Sequence, residues 1–368
     1  MTRFVARMLF VLTCAALSTA HAQSGGLGLK TFGYFQISFD HHREFPSGPE
    51  LNSFSLQQLN LFLQKDFTQK WTAFVNFEFV NSYSSFRNWG AFSLNEAWVS
   101  YRRNERFRLK LGLQVPTFNN LNEIKNRTPL LPYIIRPLVY ESSFNEIIQL
   151  DEFVPSRAFV QVSGFVPWKK TKFEYAVFLG DSPNINDDPS YGQTGVDTTK
   201  TFLVGGRLGV RTTHFKVGFS VTYDETTFQR QLQILEFVRS VSKEVPRIRR
   251  GADFSFILGN VEWESEYIRV TYDDDVPSLQ LDKKFYYGTL GYRFTERFFA
   301  YGSYWVTEED YFPVTDQDFE ARTFGATYGL NEIIFMKAQY GRAYFKSSFP
   351  NEQKYKSDYY FLAVSVVF

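Results

Sequence analysis

Apolar and polar residues alternate one for one over long stretches of this chain. Phe107, Leu109, Leu111, Leu113 and Val115 form one such series, with Arg108, Lys110, Gly112 and Gln114 between them. Trp71, Ala73, Val75, Phe77 and Phe79 alternate with Thr72, Phe74, Asn76 and Glu78. Phe215 to Tyr223 and Phe202 to Arg211 repeat the pattern. A period of two is the mark of a strand with two unlike faces. The pattern predicts about sixteen strands, over roughly 29–39, 53–67, 71–80, 93–101, 107–115, 154–166, 172–180, 200–211, 215–223, 250–258, 261–271, 284–294, 298–306, 320–329, 333–345 and 358–368.

The connections also alternate. Short polar turns (68–70, 102–106, 167–171, 212–214, 295–297, 330–332) take turns with long polar stretches (40–52, 81–92, 116–153, 181–199, 224–249, 272–283, 307–319, 346–357). The last residues give Tyr360, Leu362, Val364, Val366 and Phe368 on one face, an apolar row that runs to the final residue. Termini are usually polar and frayed. A strand that must close a cylinder in lipid ends this way instead.

Residues 1–22 carry Arg3 and Arg7, an apolar run from Met8 to Leu17, and Ala20-His21-Ala22. This reads as a secretory signal peptide cleaved before Gln23. Cleavage removes Cys14, the only cysteine, and takes two basic residues from a total of 40 against 39 acidic ones. The remaining 23–368 read as a single domain without linkers, nearly neutral, so charge as a whole names no partner and nucleic acid is not expected.

Aromatic residues make up 19% of the chain, with 41 Phe and 22 Tyr, yet mean hydropathy is -0.27. No run beyond the leader approaches the ~18 apolar residues of a membrane helix. Export, aromatic richness and mild hydropathy together fit an all-β, antiparallel, up-and-down transmembrane β-barrel, with short periplasmic turns and long extracellular loops, in the bacterial outer membrane. A barrel of this size holds an aqueous lumen. The partners that follow are lipid, lipopolysaccharide, the outer-membrane assembly machinery (which would read the terminal aromatic row) and small polar or anionic solutes.

Charges inside alternating strands should face water, because on the lipid side they cost ~2–4 kcal/mol at mid-membrane. That places Arg108, Lys110, Arg207, Arg211 and Lys216 on the pore wall, with Glu262, Glu264 and Glu266 on an acidic wall. The segment 116–153 is too apolar to sit free in water, with Leu130, Leu131, Tyr133, Ile134, Ile135, Leu138 and Val139. It is expected to fold inward and narrow the channel, bringing Lys125, Arg127 and Arg136 to the constriction. The stretch 224–249 is strongly basic (Arg230, Arg239, Lys243, Arg247, Arg249 and the adjoining Arg250) and is expected as a basic mouth. Asp273 to Asp275 lack the spacing of a calcium loop. No cofactor or metal is expected.

The segment Leu94 to Phe118 (LNEAWVSYRRNERFRLKLGLQVPTF) resembles the strand-turn-strand of the phosphate-selective porin O and P family. So do Phe178 to Asn184, Val204 to Arg211, Gly251 to Phe256 and Glu262 to Val270. The resemblance implies a sixteen-stranded barrel, a homotrimer, and passive diffusion of anions such as phosphate along basic loop residues and a wall of arginines. Arg108, Arg207 and Arg211 match wall positions; the run Glu262, Glu264, Glu266 departs from a purely basic ladder. A channel for sugars or other solutes, and a non-conducting adhesion or structural barrel, are the alternatives. Enzymatic activity is not expected, since the mature chain holds only His41, His42 and His214, none beside a candidate nucleophile on a strand face.

Overall fold

The computed structural model describes residues 28–43, 49–80, 91–125, 127, 130–141, 153–181, 201–227, 244–273, 281–311, 315–347 and 353–368. The expected leader 1–22, and Arg230, Arg239 and Lys243 of the expected basic mouth, lie outside these residues.

Sixteen strands form one closed antiparallel barrel. They are β1 (Leu29–Arg43), β2 (Glu50–Asp66), β3 (Trp71–Val80), β4 (Ala91–Asn104), β5 (Phe107–Gln114), β6 (Ala158–Trp168), β7 (Thr171–Gly180) and β8 (Leu203–Arg211). Then follow β9 (Phe215–Thr227), β10 (Glu244–Leu258), β11 (Val261–Tyr272), β12 (Leu281–Arg293), β13 (Phe298–Tyr311), β14 (Thr315–Gly329), β15 (Ile334–Ser347) and β16 (Gln353–Val367). Each strand pairs with its neighbour in sequence, and β16 closes on β1 from Tyr34↔Val367 to His42↔Tyr359. Beyond the last ladder rung, Gly33 and Phe368 exchange backbone hydrogen bonds of 2.8 and 2.9 Å. Closure leaves no sheet edge, so every strand has both hydrogen-bonding sides paired, as a lipid environment demands.

The outer face is apolar over the short-turn half of the barrel. Leu208, Phe219, Val221, Leu290 and Phe324 stand exposed there, and Tyr360, Leu362, Val364 and Val366 face outward along β16. A band of this kind is stable only against lipid.

The polarity inverts at the long-loop ends of β11 to β16. Here the outward positions carry ion pairs: Arg269–Asp282 at 2.7 Å, Arg322–Glu320 at 2.8 Å and Arg342–Asp358 at 2.7 Å. The inward positions of the same stretches are Ile268, Val270, Phe285, Trp305, Phe319 and Phe361, all buried. The inversion marks where the lipid-facing band ends, and the ladder continues past it. The strands are therefore longer than alternation predicts at this end. β10 begins at Glu244 rather than 250, β13 runs to Tyr311 rather than 306, and β16 begins at Gln353 rather than 358. Arg247 and Arg249, expected in a loop, are strand residues. His41 and His42 likewise complete β1. At the short-turn ends, where the outer face stays apolar, expected and observed boundaries agree closely.

Candidate functional site

The chain leaves β5 through a kink. Gly112 has φ +116°, and a Cβ there would lie 2.3 Å from the Ala97 carbonyl oxygen, so glycine alone fits. The β5–β6 register shifts between Leu111 and Gln114, a bulge just before the pairing ends at Gln114↔Ala158. The following segment crosses the lumen. Its described residues include a 3-10 turn at Leu138–Tyr140 and otherwise run mostly outside helix and strand, so their buried backbone groups need partners from the wall.

Wall side chains supply them. Glu266 on β11 accepts from the Asn120 and Leu121 amides at 2.9 and 2.7 Å, and from the Tyr140 hydroxyl. Ser220 on β9 accepts from the Asn119 amide at 2.9 Å. On β12, Thr289 accepts from the Tyr133 hydroxyl at 2.8 Å. Lys337 on β15 donates to the carbonyls of Leu131 at 2.6 Å and Tyr133 at 3.3 Å. Beside it, the Gln339 side-chain oxygen accepts from the Ile134 and Ile135 amides at 2.8 and 2.9 Å. From β2, Gln57 donates to the Ile134 carbonyl at 2.8 Å. The loop is thus stitched to β2, β9, β11, β12 and β15. Burial, and then the neighbouring Glu264 and Glu266 respectively, push the Tyr133 and Tyr140 phenols well above their ordinary range, so both remain hydrogen-bond donors.

Apolar packing completes the attachment. Phe118, Leu121, Ile134, Ile135, Leu138, Val139 and Tyr140 from the loop form one cluster with the inward residues of β11 to β16 named above. One side of the barrel interior is therefore a dry core rather than a water-filled wall.

The opposite side is open. A cavity of about 360 Å³ lies between the start of the loop and β4 to β9. Its lining carries six cations, Arg102, Arg108, Lys110, Arg207, Arg211 and Lys216, against three carboxylates, Glu105, Glu123 and Glu174. Arg207 is bidentate to Asp253, with a closest approach of 2.6 Å, and reaches Glu174 at 3.3 Å. Arg211 pairs with Glu174 at 2.9 Å, and Lys216 donates to Asn120 at 2.7 Å. Among the described residues no carboxylate pairs with Arg102, Arg108 or Lys110. Glu123, exposed on the loop, lies within electrostatic reach of Arg108 across the passage. Basic wall and acidic loop residue thus share the lining of one cavity.

The candidate residues read from sequence fall into three groups. Arg108, Lys110, Arg207, Arg211 and Lys216 line the cavity together. Glu262, Glu264 and Glu266 face inward but form no free acidic wall. Glu262 pairs with Arg293 at 2.6 Å, Glu264 accepts from Tyr287 at 2.8 Å, and Glu266 holds the loop. Lys125, Arg127 and Arg136, expected near the channel constriction, are not among the residues lining this cavity. Arg136 is buried, pairs with Glu141 at 3.2 Å and donates to the Lys125 carbonyl. Lys125 and Arg136 instead lie within electrostatic reach of Glu78 on β3. Of the basic residues expected at the mouth, Arg247 and Arg249 are buried on β10 and share Asp224 at 2.9 and 3.0 Å.

Arg102, Lys337 and Gln339 escaped the sequence reading. Alternation alone places Lys337 and Gln339 on an inward face between Met336 and Tyr340, but nothing in the local sequence signals a loop arriving from ~200 residues earlier.

No protein-family model matches the chain, and no curated protein matches it in sequence. Solved structures do share its fold. The outer membrane channel DcaP of Acinetobacter baumannii is 11% identical with a TM-score of 0.62, the match covering 92% of this chain and 97% of that one. An anion-selective porin from Comamonas acidovorans is 11% identical at a TM-score of 0.61, covering 92% and 99%. OmpT, an outer membrane protein of Vibrio cholerae solved in a trimer form, is 9% identical at a TM-score of 0.56, covering 92% and 99%. The architecture is that of the outer-membrane β-barrels.

Proposed function

We propose that this protein is an outer-membrane channel for passive diffusion of small hydrophilic solutes, and that it favours anions. One observation carries the reading: a closed barrel with a lipid-facing outer band encloses a cavity whose wall presents Arg102, Arg108 and Lys110 with no carboxylate partner among the described residues. Cations lining a low-dielectric passage concentrate anions at its narrowest point and repel cations. The fold shared with an anion-selective porin supports the same reading. Phosphate is the anion to which the sequence resemblance points. The apolar half of the interior departs from a lumen lined by arginines all round, so a general anion preference fits the wall better than a dedicated phosphate path. Trimerisation is part of the proposal, supported by the resemblance and by the trimer form of OmpT. The outward row ending in Phe368 is proposed as the assembly signal.

Planar-bilayer recording tests this. Purified protein is expected to give discrete conductance steps and a reversal potential on the anion side in a potassium chloride gradient. Arg108→Glu combined with Lys110→Glu is expected to move that potential toward cation preference. A cation-selective wild type, or a barrel that never conducts, overturns the proposal.

A further inference from the structure

A second feature adjoins the unpaired cations. Trp98 on β4 stacks on Phe74 of β3, with ring centroids 4.9 Å apart and planes 23° from parallel. Its indole N–H donates to Glu96 at 2.9 Å, which fixes the ring's orientation. On the other side, the β5 residue opposite Trp98 is Gly112, which has no side chain to lay over the indole. What lies over it is the Lys110 ammonium, 4.7 Å from the ring centroid. Arg108 stands next on the same face of β5, and Arg102 sits opposite Arg108 across the β4–β5 ladder. A half-buried indole held by Glu96, and three cations that pair with no carboxylate among the described residues, thus share one wall.

This juxtaposition suits a solute with a flat apolar face and a negative charge at one edge. We infer that the passage recognises aryl carboxylates, the aromatic ring lying on Trp98 and the carboxylate meeting Lys110 and Arg108. Small anions without a ring use only the second half of that arrangement. The indole offers a stacking surface whose geometry is already set by Phe74 and Glu96, so little is lost in ordering it on contact. The ammonium over the ring exchanges a cation–π contact for an ion pair with the incoming carboxylate. The inference rests on the anion-channel reading above and goes further by naming the class of solute.

Bi-ionic reversal potentials in planar bilayers test it. Sodium benzoate, sodium cyclohexanecarboxylate and sodium acetate are each set against sodium chloride. Benzoate is expected to exceed both other carboxylates in relative permeability, and Trp98→Ala is expected to cut that advantage by roughly two- to tenfold, the scale of one aromatic pair. If benzoate and acetate permeate alike while chloride still exceeds sodium, the aryl inference falls and the anion channel stands. If sodium exceeds chloride in the wild type, both fall. An advantage for benzoate that survives Trp98→Ala undiminished also overturns the assignment to this wall. Should Trp98→Ala fail to fold, Trp98→Leu takes its place, and the comparison of the three carboxylates in the wild-type protein remains decisive without either variant.

Discussion

Glu266→Ala should detach the loop without opening the barrel. The carboxylate accepts two backbone amides of the loop's first turn, Asn120 and Leu121, and the Tyr140 hydroxyl near its far end. Truncation leaves the two buried amides without an acceptor, at ~1–3 kcal/mol each, so ~2–6 kcal/mol of attachment is lost. At ~1.4 kcal/mol per factor of ten, the detached population rises roughly 30-fold or more. The β10–β11 and β11–β12 ladders run through backbone groups and do not depend on this side chain. Glu266→Gln keeps an acceptor oxygen for the amides and should behave much closer to the wild type. Two assays read the difference. In detergent, tryptic cleavage after Lys125, now half-buried, should accelerate in the alanine variant, since cleavage follows the open population when closing is fast. In bilayers, open-channel noise and mean conductance should rise. Equal cleavage rates and equal conductance in Glu266→Ala and the wild type would refute the idea that this carboxylate holds the constriction.

Arg136→Ala leaves the buried Glu141 carboxylate without its guanidinium; a broken buried pair costs ~3–5 kcal/mol, so faster tryptic cleavage of the loop is expected, with a smaller shift in reversal potential than Arg108→Glu produces. A larger selectivity change at Arg136 than at Arg108 would show that the loop, not the wall, sets the charge preference. Asp224→Ala takes the shared carboxylate from two buried guanidiniums, Arg247 and Arg249. The temperature at which the barrel loses its folded gel mobility should drop, on the scale of ~3–5 kcal/mol for a broken buried pair, and an unchanged transition would count against a structural role for that triad.

Much of this molecule is legible in its residue pattern. Alternation in segments such as Phe107 to Val115 fixes which side chains share a face, and the regular exchange of short and long connections fixes an antiparallel meander. The row from Tyr360 to Phe368 marks the strand that meets β1. These features are local, because a strand's period and a turn's length are set by residues within a few positions of one another. The same rule carried Arg108, Lys110, Arg207, Arg211 and Lys216 onto one lumen wall.

Tertiary structure alone decided what those charges do. Periodicity assigns Glu266 an inward face, but that it serves as an acceptor for Asn120 and Leu121 depends on a loop laid down well over a hundred residues earlier. Arg136 reads as a channel cation until Glu141 is seen against it. Arg247 and Arg249 read as a loop because the basic run Arg247, Arg249 and Arg250 masks the alternation that signals a strand, while the backbone ladder, indifferent to side-chain polarity, continues through it. A face is a property of neighbouring residues; whether a charge on that face is free or spent depends on what the folded chain brings opposite it, and only closure of the barrel around its own loop settles that.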